Sequence, residues 1–214
     1  MNVLVIGAAG NVGRRLVQQL AAHPQHTPIA QVRHLQQKEA LQAQGIETRL
    51  VDLEDSVDSL RTAMQGADAI IFSAGSGGST GDDKTLLVDL DGAIKTMEAA
   101  TQTGIKRYIM VSALWSEERE KWHTIKPYFA AKYYADKALM QSTLDYTILR
   151  PGVLKDEAGT GRVTTHYVAG GVDGIPRDDV AAFAITALTA DSSIGKAVDL
   201  VSGEHSIHTA LVSL

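Results

Sequence analysis

Short apolar runs alternate along most of the chain with stretches in which apolar residues recur at helical spacing. The runs fall at 3–6, 28–32, 47–51, 69–72, 107–111 and 146–149, and the helical patterns between them cover 12–22, 36–44, 57–64, 84–101 and 128–142. Strands that are apolar on both faces, each followed by a helix, predict an α/β fold with a parallel sheet covered on both sides. Right-handed crossovers make that sheet doubly wound. After Arg150-Pro151-Gly152 the pattern changes. Residues 153–174 are rich in Gly, Thr and Val and read as loop and short extended pieces. A helix is predicted over 178–189, capped by Asp178 or a neighbour, and then a strand at 197–201. The expected organisation is one domain over 1–214, with a core of about 1–152 and a small C-terminal segment, 153–214, that completes the sheet and one wall of a small or open pocket.

The first strand opens directly into Gly7, Gly10 and Gly13, and a helical pattern follows over 14–20. Strand, glycine turn and helix in that order bring free backbone N–H groups, those of Asn11 and Val12 among them, and the positive end of a helix dipole to one spot. A pyrophosphate fits there. Gly7 lets the chain turn, Gly10 removes a Cβ that would block a phosphate, and Gly13 lets the helix pack close to the strand. The plain alternative is a βα turn with no ligand. Its place at the end of an N-terminal buried strand favours the phosphate site, and with it a Rossmann-type sheet that binds a dinucleotide.

Composition narrows the remainder. The 214 residues suffice for a sizeable core, and 44% hydrophobic with 21% charged residues is ordinary for a soluble globular protein. A net charge of −5, with no basic run, gives no reason to expect nucleic acid as a partner. The absence of cysteine excludes disulfides, thiolate metal sites and cysteine nucleophiles. Strand one starts at the second or third residue, leaving no room for a signal peptide, and no apolar stretch approaches membrane-spanning length. The expectation is a cytoplasmic monomer or homodimer that takes a small-molecule substrate.

The end of the second strand discriminates between cofactors. An acidic residue there would bind the ribose hydroxyls of NAD, whereas a basic one accommodates the 2′-phosphate of NADP. Here the strand ends Gln31-Val32-Arg33-His34, with no acid before Glu39. Arg33, helped by Arg14, can grip a phosphate with two parallel hydrogen bonds. The alternative is a pair of solvated surface arginines; NADP is preferred over NAD. Asp52 and Leu53 close the third strand, Asp52 to accept from the adenine amino group and Leu53 to lie against the ring, unless Asp52 serves as a helix cap. Ser73, Ala74 and Gly75 close the fourth strand with small side chains that permit close approach of a dinucleotide. Residues 76–81 are either a mobile loop beside the active site or a connector.

Ser112, Tyr128 and Lys132 form the reactive set. Ser112 lies just beyond the fifth strand, and Tyr128 and Lys132 are four apart on the following helix, sharing a face. Tyrosine has an ordinary pKa near ~10, and an adjacent ammonium favours the phenolate and lowers it toward a usable general acid–base. Lys132 can also hold the nicotinamide ribose, and Ser112 can bond the substrate oxygen. A second pair, Tyr133 and Lys137, is rotated by about 140° on the same helix, so only one pair can face the cofactor. Pro127 puts Tyr128 in the first turn, and Tyr133 or Tyr134 then packs or meets solvent. Among the seven histidines, His205 and His208 are spaced for one helical face with nothing to complete a metal set, so no metal is expected. His123 has no assigned role.

Gly7-x-x-Gly10-x-x-Gly13, Asp52-Leu53, Val111-Ser112-Ala113, Tyr128-x-x-x-Lys132, Leu149-Arg150-Pro151-Gly152 and the 175–180 stretch Ile-Pro-Arg-Asp-Asp-Val together resemble an atypical short-chain dehydrogenase/reductase. The nearest likeness is to the small bacterial NAD(P)-binding proteins of the NmrA-like and biliverdin-reductase-B-like group, some of them labelled sugar epimerases. The resemblance spans nearly the whole chain and implies that Pro151, Gly152 and Val153 approach the nicotinamide carboxamide. That group includes working reductases and members that bind NADP(H) as regulators. Retention of Ser112, Tyr128 and Lys132 favours an oxidoreductase that passes hydride to a small carbonyl, quinone-like or flavin-like acceptor. The other readings are a non-catalytic NADP(H) sensor and an NAD(P)-dependent epimerase, whose usual larger substrate domain the short segment after Gly152 lacks.

Overall fold

The computed structural model describes the chain except residue 79 and residues 168–173, so parts of the predicted 76–81 and 153–174 loops lie outside the described residues. Each apolar run forms a strand: β1 (Asn2–Ile6), β2 (Thr27–Val32), β3 (Glu47–Leu50), β4 (Ala69–Phe72), β5 (Arg107–Val111) and β6 (Asp145–Pro151). Between the first four lie α1 (Asn11–Ala21), α2 (Leu35–Gln42) and α3 (Val57–Ala63). The long pattern predicted over 84–101 is helical throughout but not uniform. A short α4 (Asp82–Lys84) widens into a π-helical stretch, Thr85–Gly92, and narrows again as α5 (Ala93–Thr103). Wide turns of this kind concentrate at functional sites, and Asp89 lies buried within this one. The helix after β5 is α6 (Lys126–Met140).

The C-terminal segment contributes β7 (Val153–Lys155), β8 (Arg162–Thr164), β9 (Gly174–Pro176), α7 (Arg177–Ala187), β10 (Lys196–Ser202), β11 (His205–Ser206) and α8 (Ile207–Val212). The nine-stranded sheet runs β11-β8-β10-β6-β5-β4-β1-β2-β3, while β7 and β9 pair separately. From β3 to β10 every pairing is parallel; β8 is antiparallel to β10 and β11. Alternation along each strand feeds two cores. Val3 and Val5 join Leu16 and Leu20 of α1 and Phe183 of α7 on one face; Leu4 and Ile6 join Leu60, Met97 and Leu139 on the other.

Two details correct the sequence reading. Asp178 does not cap its helix: α7 starts after Pro176 with no side-chain cap, because the proline backbone already sets the entry. Asp178 pairs instead with Arg15 at 3.0 Å, and buried Asp179 accepts from the backbone N–H groups of Thr160 and Gly161. His205 and His208 do not share a helical face, since the chain changes from strand to helix at Ile207 between them. Among the described residues no helix is long and apolar enough to cross a membrane.

A buried arginine joins the two parts of the chain. Arg107, at the start of β5, donates to the carbonyls of Leu188, Asp145 and Ala187 and to Thr147 Oγ1 and Ser193 Oγ. Burial pulls its guanidinium down to about 10, against the pull of Asp145 and Asp191. Replacing Arg107 with alanine leaves several buried carbonyls without donors. The expected loss is about 3 kcal/mol or more in urea unfolding. A loss within experimental error would mean that water takes over those bonds.

Candidate active site

The carboxyl ends of β1 to β5 open into one groove of about 730 Å³. At one end lies the glycine corner. Gly7 has φ +80°, and a Cβ there would fall 2.7 Å from the Ala74 Cα; a Cβ on Gly13 would fall 2.1 Å from the Gly7 carbonyl. Only glycine satisfies both positions. Gly10 is the N-cap of α1 and offers no side-chain cap, so the first N–H groups of the helix, including those of Asn11 and Val12, open on the groove. An uncapped helix start of this kind fits a phosphate group. Beneath it Gln31, buried in an otherwise apolar strand, accepts from Gly7 N at 2.9 Å and donates to the Val51 carbonyl. The sequence reading missed this lock; the visible signal was a lone amide among apolar strand residues.

Arg33 stands exposed in the groove wall, which Gln37 of α2 also lines. Asp52, Leu53, Ser73, Ala74 and Gly75 continue the wall. Asp52 is not the helix cap. Its Oδ1 accepts from Glu54 N at 3.0 Å to close a turn, and Ser56 caps α3 instead. Ser76, Gly77, Gly78 and Thr80 also line the groove, which places the described part of that loop at the site.

Ser112, Tyr128 and Lys132 meet at the other end, with Ile125 and Pro127. Ile125, a β-branched residue at φ 46°, starts α6 in the left-handed region, a strained conformation held where Tyr128 enters the groove. Lys132 Nζ lies 5.6 Å from the Tyr128 ring centre, 3.1 Å from Asp89 Oδ1 and 3.5 Å from the Ala74 carbonyl. Asp89, 1% exposed, also accepts from Ser76 N at 2.8 Å. The contact between Lys132 and Asp89 is an ion pair by distance, without an aligned hydrogen bond to Oδ1. Asp89 was not singled out in the sequence, because an acid inside a helical pattern reads as a solvated residue.

Electrostatics at this end reverse the expectation of a depressed phenol. Burial pushes Tyr128 up; Lys132 pulls it down, but Asp89 and Asp136 push it up again, and the net direction is upward. For Lys132 burial favours the neutral amine, yet Tyr128, Asp89 and Asp136 hold the ammonium above its ordinary range. Around neutrality the phenol therefore keeps its proton and the lysine keeps its charge.

Behind Ser112 sits a second buried acid. Asp136, one turn beyond Lys132, accepts from Ser116 Oγ and from Arg150 Nε, both at 3.1 Å. Arg150 also reaches Glu117 at 2.6 Å. Burial raises the Asp136 carboxyl against the stabilising effect of Ser112, Arg150 and Ser116. Ser112 Oγ is close enough to moderate that charge but makes no well-formed bond, so its hydroxyl remains available.

Five residues expected near the cofactor do not line the groove. Gly13 packs beneath the Gly7 carbonyl, and exposed Arg14 turns to Asn11 Oδ1 at 2.7 Å. The Pro151 carbonyl accepts from Leu114 N and Gly152 N donates to the Leu200 carbonyl, so sheet pairing consumes that backbone. Val153 faces out, 58% exposed, and Leu154 takes the inward position. Tyr133 packs against Trp122 beneath the Arg119 guanidinium, Tyr134 is exposed, and exposed His123 is not part of the wall.

Known proteins resemble this chain in sequence and fold. The chain is 50% identical over 216 residues to an uncharacterized sugar epimerase, YhfK, of Bacillus subtilis, with full coverage of both chains. The structure of the oxidoreductase ylbE from Lactococcus lactis superposes with a TM-score of 0.87 at 31% identity, covering 100% of this chain and 96% of that one. ChuY, an anaerobilin reductase from Escherichia coli O157:H7, superposes with a TM-score of 0.79 at 25% identity, covering 96% and 99%. The NAD(P)H-binding family profile matches residues 7–191, from the first glycine of the glycine corner to beyond α7, and the chain belongs to that family.

Proposed function

We propose that this protein is an NADPH-dependent reductase that passes hydride to a small carbonyl, quinone-like or flavin-like acceptor, with Tyr128 as the proton donor. One observation carries the reading: the groove that begins at the uncapped N-terminus of α1 ends against Tyr128, Lys132 and Ser112. A nicotinamide bound along it would supply the hydride. The N–H groups of Asn11 and Val12 would hold the pyrophosphate, Arg33 the 2′-phosphate, and Asp52 and Leu53 the adenine. Tyr128 holds a proton that it can give to an acceptor oxygen, and the Lys132 ammonium stabilises the phenolate left behind. Ser112 Oγ orients that oxygen. A phenol that keeps its proton around neutrality is ready to donate it to an acceptor oxygen. The names of the ylbE and ChuY relatives, an oxidoreductase and a reductase, agree with this.

The test is NADPH consumption by the purified protein with a panel of aldehydes, quinones and flavins. Tight NADPH binding with no turnover on any acceptor would favour a sensor instead. Arg33→Ala is expected to weaken NADPH by about 10-fold or more while leaving NADH nearly unchanged, since it removes charge-assisted bonds to the 2′-phosphate alone. Equal losses for the two cofactors would contradict that role.

A further inference from the structure

Arg177 opens α7 and lines the groove together with Leu154, where α7 packs on α1. Its side chain is 16% exposed, and its Nε is buried with no acceptor among the described residues. The ion-pair partner it has is Asp156, at 3.0 Å from Nη1, a carboxylate that is 71% exposed and shared with Arg15 at 3.1 Å. Arg15 is itself held by Asp178. An ion pair on so exposed an acid contributes little, whereas a buried guanidinium N–H without an acceptor is costly. The groove thus contains a cationic fork whose inner donor has no acceptor among the described residues and whose outer donor meets a solvated, replaceable carboxylate. The planar guanidinium suits two oxygens of a carboxylate or phosphate.

We propose that Arg177 is an anion-binding residue of this groove, taking a carboxylate or phosphate group that displaces Asp156. The inference rests on the reading of the groove as a dinucleotide site and deepens it. The anion comes either from the pyrophosphate of the cofactor or from an acid group on the acceptor.

Calorimetry on the wild type, Arg177→Gln and Asp156→Asn separates the two sources. One arm titrates NADPH, and the other titrates benzoate into protein saturated with NADP⁺. On one arm Arg177→Gln is expected to lose about 10-fold or more in affinity, and Asp156→Asn, relieved of the competing carboxylate, to gain on that same arm. A response to NADPH assigns the pyrophosphate; a response to benzoate assigns an acidic acceptor. Wild-type NADPH binding with both variants unchanged on both arms overturns the proposal and leaves the reductase reading standing. A wild type that binds no NADPH overturns the reductase reading, and inorganic pyrophosphate titrated into the same three proteins then decides the anion site by the same criteria. If Arg177→Gln fails to fold, Asp156→Asn, altered only at an exposed side chain, still has to gain affinity on one arm; no gain overturns the proposal.

Discussion

Tyr128→Phe is expected to lower kcat for carbonyl acceptors by about 10²- to 10⁴-fold, the range in which a positioned general acid contributes. NADPH affinity should change little, because the phenol lies at the far end of the groove from the glycine corner. The pH profile follows from the direction of the shift. A phenol held above its ordinary value is fully protonated across neutral pH, so the donor form is lost only as pH rises through the raised value. Wild-type kcat should therefore be flat through neutrality and fall only above the ordinary tyrosine range near ~10. Turnover that survives the substitution would remove Tyr128 as the acid and leave direct hydride transfer to the acceptor. A basic limb near neutrality that disappears in the variant would instead mean that the ammonium dominates the phenol.

Asp89 should have the next largest effect, and its two replacements separate electrostatics from stability. Asp89→Asn keeps the shape and removes the charge that opposes Lys132. The groups acting on the phenol are Lys132 and Asp136 from α6 and Asp89 from the π-helical stretch. With Asp89 neutral, the phenol titrates lower than in the wild type and the basic limb of kcat moves to lower pH. Tyrosinate absorbance, differenced against the same protein carrying Tyr128→Phe, reads the shift without turnover. An unmoved limb would show that Asp89 does not act on Tyr128. Asp89→Ala leaves the nearly inaccessible Lys132 ammonium without its partner. Breaking one side of a buried pair costs about 3–5 kcal/mol, to be read from urea unfolding. A loss below 1 kcal/mol, on the order of an exposed pair, would mean that the Ala74 carbonyl and water suffice to hold the charge.

The sheet was legible because its central strands, such as β1, β4 and β5, are buried on both faces and therefore rich in apolar residues at consecutive positions. The sequence reading and the structure agree for β4 and β5 and differ by a residue or two for the others. The glycine corner was legible because Gly7 and Gly13 answer local demands, a positive φ and a close backbone approach. Tyr128 was separable from Tyr133 because a five-residue offset rotates a helix far enough to carry the second ring out of the groove. The turn after Gly152 was not legible. Whether Val153 or Leu154 faces inward depends on how β7 pairs with β9, which lies some twenty residues further along the chain.

The sequence by itself determined the layered α/β arrangement, the glycine corner and the approach of Tyr128 and Lys132 to one another, because each depends on spacing within a few residues. Only the tertiary structure placed a buried carboxylate against that pair. Asp89 is more than forty residues from Lys132, and its carboxylate matters because a widened helical turn buries it beside the ammonium. The same holds for Arg177, whose fork meets the groove only because α7 packs on the first helix. Burial and long-range contact set electrostatic energies, and neither is written in local periodicity.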